Sequence, residues 1–171
     1  MSGTDEKILK YIAALGDPVI DKRHAAVSAL RETGEPAVQP LIAALAGAAD
    51  NDRRWYIAIA LSRIGKPAIA PLIAAMAVHT NRDFRKYAAA ALGEIGEPAI
   101  NALIDGMAGD DRELRGFLSR ALCRIGKPAV GPLTSRLNDP DETLQQCVTL
   151  TLWQMGETGI PEMVKNVEDG E

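Results

Sequence analysis

The stretch "IGKPAIAPLIAAM" (residues 64–76) decides the fold because it recurs along the chain. The other copies are "TGEPAVQPLIAAL" (33–45), "IGEPAINALIDGM" (95–107), "IGKPAVGPLTSRL" (125–137) and a degenerate "MGETGIPEMVKNV" (155–167). Their glycines are spaced by 31, 31, 30 and 30 residues. Self-similarity at such a fixed period is typical of stacked helical repeats.

Each period reads as two helices. After the glycine, apolar residues recur at the spacing of one helix face, as at Ile69, Leu72, Ile73 and Met76. This predicts a first helix in each repeat. A second helix is predicted over segments such as "DFRKYAAAALGEIG" (83–96). Its core stripe comprises Phe84, Tyr87, Ala88, Ala91, Leu92 and Ile95.

The glycine–proline step is predicted to join successive repeats. Glycine can adopt the left-handed conformation that ends the second helix, and proline fits the first turn of the next helix. The regular helix begins at the first or the second proline; the sequence leaves both open. N-cap carboxylates are expected before the second helices, with the last the weakest: Asp21, Asp52, Asp83 and Glu113.

The repeats predict one continuous domain. The segment "KILKYIAAL" matches the first-helix stripe without a glycine–proline step, so the array begins and ends on a first helix. We expect a short tail over 1–4, a single repeat domain over 5–167 and an acidic tail over 168–171. The expected repeat units are 5–34, 35–65, 66–96, 97–126, 127–156 and a capping helix over 157–167.

Composition narrows the class of protein. Apolar residues make up 47% and aromatic residues 4% of the chain, as expected for closely packed, alanine-rich helices. The net charge of −4 disfavours binding to nucleic acid or an anionic membrane. No apolar run approaches a membrane span, no secretory layout opens the chain, and two cysteines make no disulfide framework. A cytoplasmic protein is expected.

The repeated phrase Ala-x-x-Ala-Leu-x-x-Ile-Gly-x-Pro-Ala-Val/Ile-x-Pro-Leu-Ile resembles the short HEAT-like repeats named after the phycobilisome lyases (PBS lyases). The resemblance covers nearly the whole chain. It implies an all-α, right-handed α-solenoid of about five helix pairs plus a terminal half repeat, with the second helices lining the concave face. Repeats of this family serve as binding scaffolds and as parts of a few enzymes, so the resemblance does not decide the activity.

An arginine ladder lies eleven residues before the repeat glycines: Arg23, Arg54, Arg85 and Arg115. We interpret it as structural, each guanidinium pairing with an acidic cap of its own or the next repeat. The alternative is an anion-binding row, because guanidinium forks suit carboxylate and phosphate groups.

The outward columns of the second helices are the candidate partner-binding residues, because they differ between copies and include both tryptophans. Tryptophan is enriched at binding hot spots. The alternative is that the tryptophans pack on neighbouring helices. The candidate residues are His24, Arg31, Trp55, Ile59, Lys86, Arg120, Cys123, Gln146, Leu150 and Trp153. One more column is expected to face outward between them: Val27, Ala58, Ala89, Ser119 and Thr149.

The sequence offers no catalytic set, cofactor motif or metal-ligand cluster; the two histidines and two cysteines are scattered. We therefore expect a non-catalytic, monomeric scaffold whose concave face binds a protein or peptide, with an acidic one favoured by nine arginines in the predicted second helices. One alternative is a phycobilin-lyase-like subunit that binds a tetrapyrrole. Another is an anion or nucleic-acid binder that uses the arginines.

Overall fold

The computed structural model describes residues 3–156 and residue 159, and every regular element among them is helical. In chain order the helices are α1 (Gly3–Ala14), α2 (Ile20–Thr33), α3 (Val38–Gly47), α4 (Asn51–Ile64), α5 (Lys66–Val78), α6 (Arg82–Ile95), α7 (Ile100–Gly106), α8 (Arg112–Ile125), α9 (Lys127–Thr134) and α10 (Glu142–Gln154). Odd-numbered helices are the predicted first helices and even-numbered ones the second helices. The predicted all-α repeat fold is confirmed.

The chain divides into two compact units, residues 1–91 and residues 92–171. In unit 1, α1, α3 and α5 pack in sequence as one layer, and α2 packs against α4 in the other. In unit 2, α7 packs against α9 and α8 against α10.

Helix α1 begins at Gly3, inside the segment expected to be a tail. The capping helix (157–167) and the acidic tail (168–171) fall outside the described residues, apart from Gly159.

The core of each unit is built from the predicted stripes. Leu72 and Met76 of α5 are fully buried, while Ile73 is half-buried. On the second helices, Phe84 and Leu92 are buried to 2% exposure or less. Small buried alanines between these large side chains let the helices pack closely.

The first four repeat glycines, Gly34, Gly65, Gly96 and Gly126, each end one helix and start the next. The N–H of Gly65 donates to the carbonyl of Leu61 at 3.2 Å, and its own carbonyl accepts from the N–H of Ala68 at 2.9 Å. Of the left-handed conformation predicted for the glycines, the positive φ is present at all five. At Gly65, φ 81° is combined with ψ −132°, which is not the left-handed helical conformation but an extended one that is essentially restricted to glycine.

The structure decides where the first helices begin. Helices α5 and α9 begin immediately after the glycine, with Pro67 and Pro128 in their first turns. Helices α3 and α7 begin after a 3₁₀ turn, Glu35–Ala37 and Glu97–Ala99 respectively, which contains the first proline. The regular helix therefore starts one residue before the first proline in the Gly-Lys-Pro copies and after that proline in the Gly-Glu-Pro copies.

The predicted N-caps are wrong by two residues. The side chain of Asp50 accepts a hydrogen bond from the N–H of Arg53 at 2.8 Å. The side chains of Asn81, Asp111 and Asp141 accept equivalent bonds from the N–H groups three residues later. The residues predicted as caps are instead the second residues of their helices: Asp21, Asp52, Asp83 and Glu113. There they interact favourably with the positive end of the helix dipole.

Among residues 3–156, no helix combines the length and the apolar character that crossing a membrane requires.

Candidate functional site

Three of the four ladder arginines, Arg23, Arg85 and Arg115, tie a second helix to the end of the preceding first helix or to the turn that follows it. The Nε atom of Arg85 donates to the carbonyls of Met76 and His79, both at 2.9 Å, and Arg85 is only 1% exposed. Nη1 of Arg115 donates to the carbonyl of Gly109 at 2.6 Å. These carbonyls lie at the end of α5 and just beyond the end of α7, where no helical N–H remains to bond them.

The other two members of the ladder vary this arrangement. Nε of Arg23 donates to the carbonyl of Asp17, just after α1. Arg54 donates to the Oδ1 atom of Asn51 at 3.0 Å and lies 3.9 Å from the carboxylate of Asp83 in the next repeat. The Arg54–Asp83 distance matches the expected pairing with an acid of the next repeat. The bonds to backbone carbonyls were not predicted from the sequence.

The candidate residues of unit 1 lie on an exposed side of its second helices. We call this surface the unit 1 face. His24, Arg31 and Lys86 are exposed, Trp55 is 45% exposed, and Ile59 is half-buried. Trp55 and Ile59 are four residues apart on α4, so they share one helix face.

A cleft of about 390 Å³ lies between α2 and α4 on the unit 1 face. It is lined by His24, Val27, Ser28, Arg31, Tyr56, Ile59 and Arg63. The rings of His24 and Tyr56 are tilted against each other with centroids 6.0 Å apart. The guanidinium of Arg23 lies 5.1 Å from the centroid of the Tyr56 ring, close enough for a cation–π interaction.

The candidate residues of unit 2 lie on α8 and α10, and we call this surface the unit 2 face. Leu150 and Trp153 are each 62% exposed, and Gln146 precedes them on the same side of α10. Arg120 is exposed and its guanidinium lies 5.4 Å from the centroid of the Phe117 ring. A second cleft of about 460 Å³ separates α8 from α10 and includes Gln146 and Leu150 among its lining residues.

Cys123 belongs to the contact between α8 and α10 more than to the open surface. It is half-buried, with its sulfur 4.0 Å from the carbonyl of Thr151. Beside it, the Ser119 hydroxyl lies 2.9 Å from the Thr151 hydroxyl and donates to Oε1 of Gln154 at 3.0 Å. Burial raises the pKa of the Cys123 thiol and that of Cys147, which lowers the thiolate fraction of both.

The sequence-based prediction is wrong for one outward column of the second helices, and it omits two residues of the unit 1 cleft. Val27 and Ser119, expected to face outward, are buried at 9% and 8% exposure. Tyr56 and Arg63 line the cleft but were not predicted. The signal for Arg63 was available: it lies four residues after Ile59 and therefore on the same helix face.

The second helices carry even more of the positive charge than the sequence predicts. Helix α6 starts at Arg82 and helix α8 at Arg112, so both of these arginines belong to second helices. The second helices together therefore contain eleven of the twelve arginines, and only Arg136 lies elsewhere. Arg124 pairs with Glu94 at 3.3 Å. Arg31 and Arg63 form no ion pair with any other residue of the described chain.

Exposed apolar residues also occur outside the second-helix faces: Leu9 on α1, Val19 and Ile20 at the start of α2, and Val78 at the end of α5.

Over residues 3–156, no group of three or more His, Cys, Asp or Glu side chains is arranged to hold a metal ion.

Comparison with known proteins agrees with this architecture. A family model for HEAT repeats matches residues 8–92 and 38–116, which together make up more than half of the chain. No curated protein shows significant sequence similarity.

Similar solved structures include an engineered protein (19% identity, 95% of this chain and 85% of that one, TM-score 0.36). A designed armadillo repeat protein is also similar (16% identity, 92% of this chain and 87% of that one, TM-score 0.29). The repeats, the helix pairs and the family match lead to one conclusion: the chain belongs to the HEAT-repeat family.

Proposed function

We propose that the protein is a non-catalytic, monomeric scaffold whose second-helix faces bind a partner protein or peptide. One observation carries the proposal: both tryptophans are exposed on second helices, Trp55 at 45% and Trp153 at 62%. Exposed clusters of large apolar side chains mark interaction surfaces. Leu150 extends the cluster on α10, and Ile59 extends it on α4.

Charge supports an acidic partner. The whole chain has a net charge of −4, yet its arginines are concentrated on the second helices. A local basic surface on an acidic protein attracts acidic segments and repels basic ones, so it contributes to partner choice. Because the ladder arginines are engaged with backbone carbonyls or local polar groups, we assign partner contact to other exposed arginines of the second helices, such as Arg31 and Arg120.

The function can be tested by affinity capture from the native extract with the full chain as bait. Trp55→Ala and Trp153→Ala are compared separately, because each lies on the face of a different unit. The controls, Leu9→Ala and Val78→Ala, remove exposed apolar side chains from first helices. A hot-spot tryptophan contributes about 2 kcal/mol or more, so we expect roughly thirtyfold weaker binding of the captured partner.

The controls should bind the partner as the wild type does. Equal recovery by wild type, Trp55→Ala and Trp153→Ala would show that the tryptophans do not form the binding surface. Equal losses in all four variants would point to general destabilisation instead.

The finer assignment to PBS-lyase-type repeats is proposed from the repeat phrase alone, and two alternatives go with it. For the tetrapyrrole alternative, a bilin added to the protein should show a shifted absorption band. For the anion or nucleic-acid alternative, affinity should fall steeply with salt because counterions are released on binding. An unshifted absorption band would contradict the tetrapyrrole alternative, and salt-independent binding would contradict the anion or nucleic-acid alternative.

A further inference from the structure

We propose that the cleft between α2 and α4 binds a short peptide segment in the polyproline II conformation through one acidic side chain and one apolar or aromatic side chain about three residues away. This inference rests on the proposed partner binding and names the chemistry that the unit 1 cleft selects.

The cleft has two chemically different ends. His24 and Tyr56 lie in the N-terminal halves of α2 and α4, and their rings are 6.0 Å apart. Arg31 and Arg63 lie in the last turns of the same two helices, and both line the cleft. The two helices therefore run in the same direction, with an aromatic end and an arginine end.

The length of the cleft sets the spacing of the ligand groups. From His24 to Arg31 is seven residues, or about 10 Å along a helix. A peptide in the polyproline II conformation has three residues per turn and advances about 3.1 Å per residue, so two of its side chains three residues apart lie on the same side and roughly match this distance. A volume of about 390 Å³ is enough for side chains of this kind.

The arginine end is available for a carboxylate. Neither Arg31 nor Arg63 forms an ion pair with another residue of 3–156, and no carboxylate lines the cleft. In unit 2, by contrast, Arg124 is paired with Glu94 at 3.3 Å. Two guanidinium groups at one end of a cleft offer the forked donors that a carboxylate accepts.

The other end and the floor of the cleft suit an apolar side chain. Val27 is 9% exposed and Ile59 is half-buried, so together they form an apolar floor. The Tyr56 ring contacts the His24 ring and lies 5.1 Å from the guanidinium of Arg23, and these contacts position it before a ligand arrives. A ring fixed in this way loses little side-chain entropy when it is covered by a ligand.

The test uses synthetic peptides and the ¹⁵N-labelled full chain, with binding followed by amide chemical shifts. The probes are acetyl-Ser-Phe-Ser-Ser-Glu-Ser-amide and its reversed order, acetyl-Ser-Glu-Ser-Ser-Phe-Ser-amide. A second pair replaces Glu by Gln, and a third replaces it by phosphoserine. The protein variants are Arg31→Gln/Arg63→Gln, and Lys10→Gln/Lys66→Gln as a control with the same charge change on first helices.

We expect at least one Glu peptide to bind with a Kd of about 1 mM or below and to shift amide signals of α2 and α4. The Gln peptides and the Arg31→Gln/Arg63→Gln variant should each bind about tenfold more weakly or not at all. The Lys10→Gln/Lys66→Gln variant should bind as the wild type does.

Three results would overturn the inference. These are no shifts with either Glu peptide, equal binding of the Glu and Gln peptides, or binding of the phosphoserine peptide alone, which would make the cleft a phosphate site. Each of these can occur while Trp55→Ala still abolishes partner capture, so the proposed function would stand. If peptide binding is as expected but neither tryptophan variant affects capture, the proposed function fails instead.

Discussion

The Nε atom of Arg85 lies 2.9 Å from the carbonyl oxygen of Met76, so a second helix is hydrogen-bonded to the end of the first helix of its own repeat. The same atom reaches the carbonyl of His79 at 2.9 Å. A side chain that could have served an anionic ligand is used instead to close the turn between two helices. In the last repeat, Gln145 replaces the arginine, and its turn is held by Arg136, which bonds Asp139 at 2.8 Å.

Replacing Arg85 should destabilise the protein strongly. Arg85→Ala leaves two carbonyls without their charged donor in a buried position, and we expect a loss of about 2–4 kcal/mol in the free energy of unfolding. Arg115→Ala removes a half-buried side chain and should cost about 1 kcal/mol. Urea unfolding of both variants measures the difference. Equal losses would show that burial does not set the strength of the ladder.

The junction glycines should not tolerate a side chain, whereas a helical glycine should. Gly65 has a φ of +81°, and we expect Gly65→Ala to cost about 1–3 kcal/mol through backbone strain. Gly116 lies inside α8, and a methyl group added there would meet no other atom within 4 Å, so Gly116→Ala should add about 0.5–1 kcal/mol. Thermal unfolding compares the two. A stabilised Gly65→Ala protein would contradict the geometry of the junction.

Alanine substitutions of Asp50 and Asp52 should show which of these two aspartates is the N-cap of α4. Asp50→Ala removes the acceptor for the N–H of Arg53 and should cost about 0.5–2 kcal/mol. Asp52→Ala removes only a favourable charge near the helix N-terminus, an effect of about 0.3–1 kcal/mol. Chemical denaturation of both variants gives the order. A larger loss at Asp52 would restore the cap predicted from the sequence.

Asp139 should make stability depend on pH in the acid range. The N–H of Asp141 and the guanidinium of Arg136 lower the pKa of the Asp139 carboxyl. A carboxyl whose pKa is lowered on folding stabilises the folded state above its unfolded pKa of about 3.9, and that contribution is lost as the pH falls through the lower folded value. The wild type should therefore exceed Asp139→Asn in stability at pH 7; the difference should shrink as the pH falls below about 3.9 and disappear only below the lower pKa of the folded state.

Arg136→Gln provides the control for this effect. In the Arg136→Gln background, Asp139→Asn should change the acid-range stability less than it does in the wild type, because one of the two groups that lower the pKa is gone. Unfolding curves collected from about pH 2 to pH 7 for the four proteins measure the coupling. An identical effect of Asp139→Asn in both backgrounds would assign the shift to the backbone bond alone.

The fold was accessible from the sequence because the same side chains recur in phase. Leu72 and Met76 follow the helical period in one copy, and their counterparts Leu103 and Met107 repeat it, so errors in one copy are corrected by the next. Helix starts were less accessible. Asp52 precedes two arginines and looks like a cap, but Asp50 is placed correctly by the chain entering the helix in an extended conformation.

The candidate site was only partly accessible, for a geometric reason. A helical wheel separates outward from inward positions on an isolated helix, but Val27 lies in the cleft between α2 and α4 and is buried at 9% exposure. The cleft arises between α2 and α4, so Tyr56 and Arg63 belong to it through a pairing that no single period displays. Likewise, the partners of Arg85 could not be predicted, because they are backbone carbonyls, which every residue has whatever its side chain.

The one-residue difference between the longer and shorter repeats has a definite location. Every second helix begins fourteen residues before its glycine, from Ile20 and Gly34 to Glu142 and Gly156. From Gly65 to the start of α6 is seventeen residues, but from Gly96 to the start of α8 it is sixteen. Insertions and deletions are thus absorbed between the glycine and the second helix, and the spacing from each second helix to its junction stays unchanged. Loop-length variation can therefore alter one edge of the array without shifting the phase of the residues that would recognise a ligand.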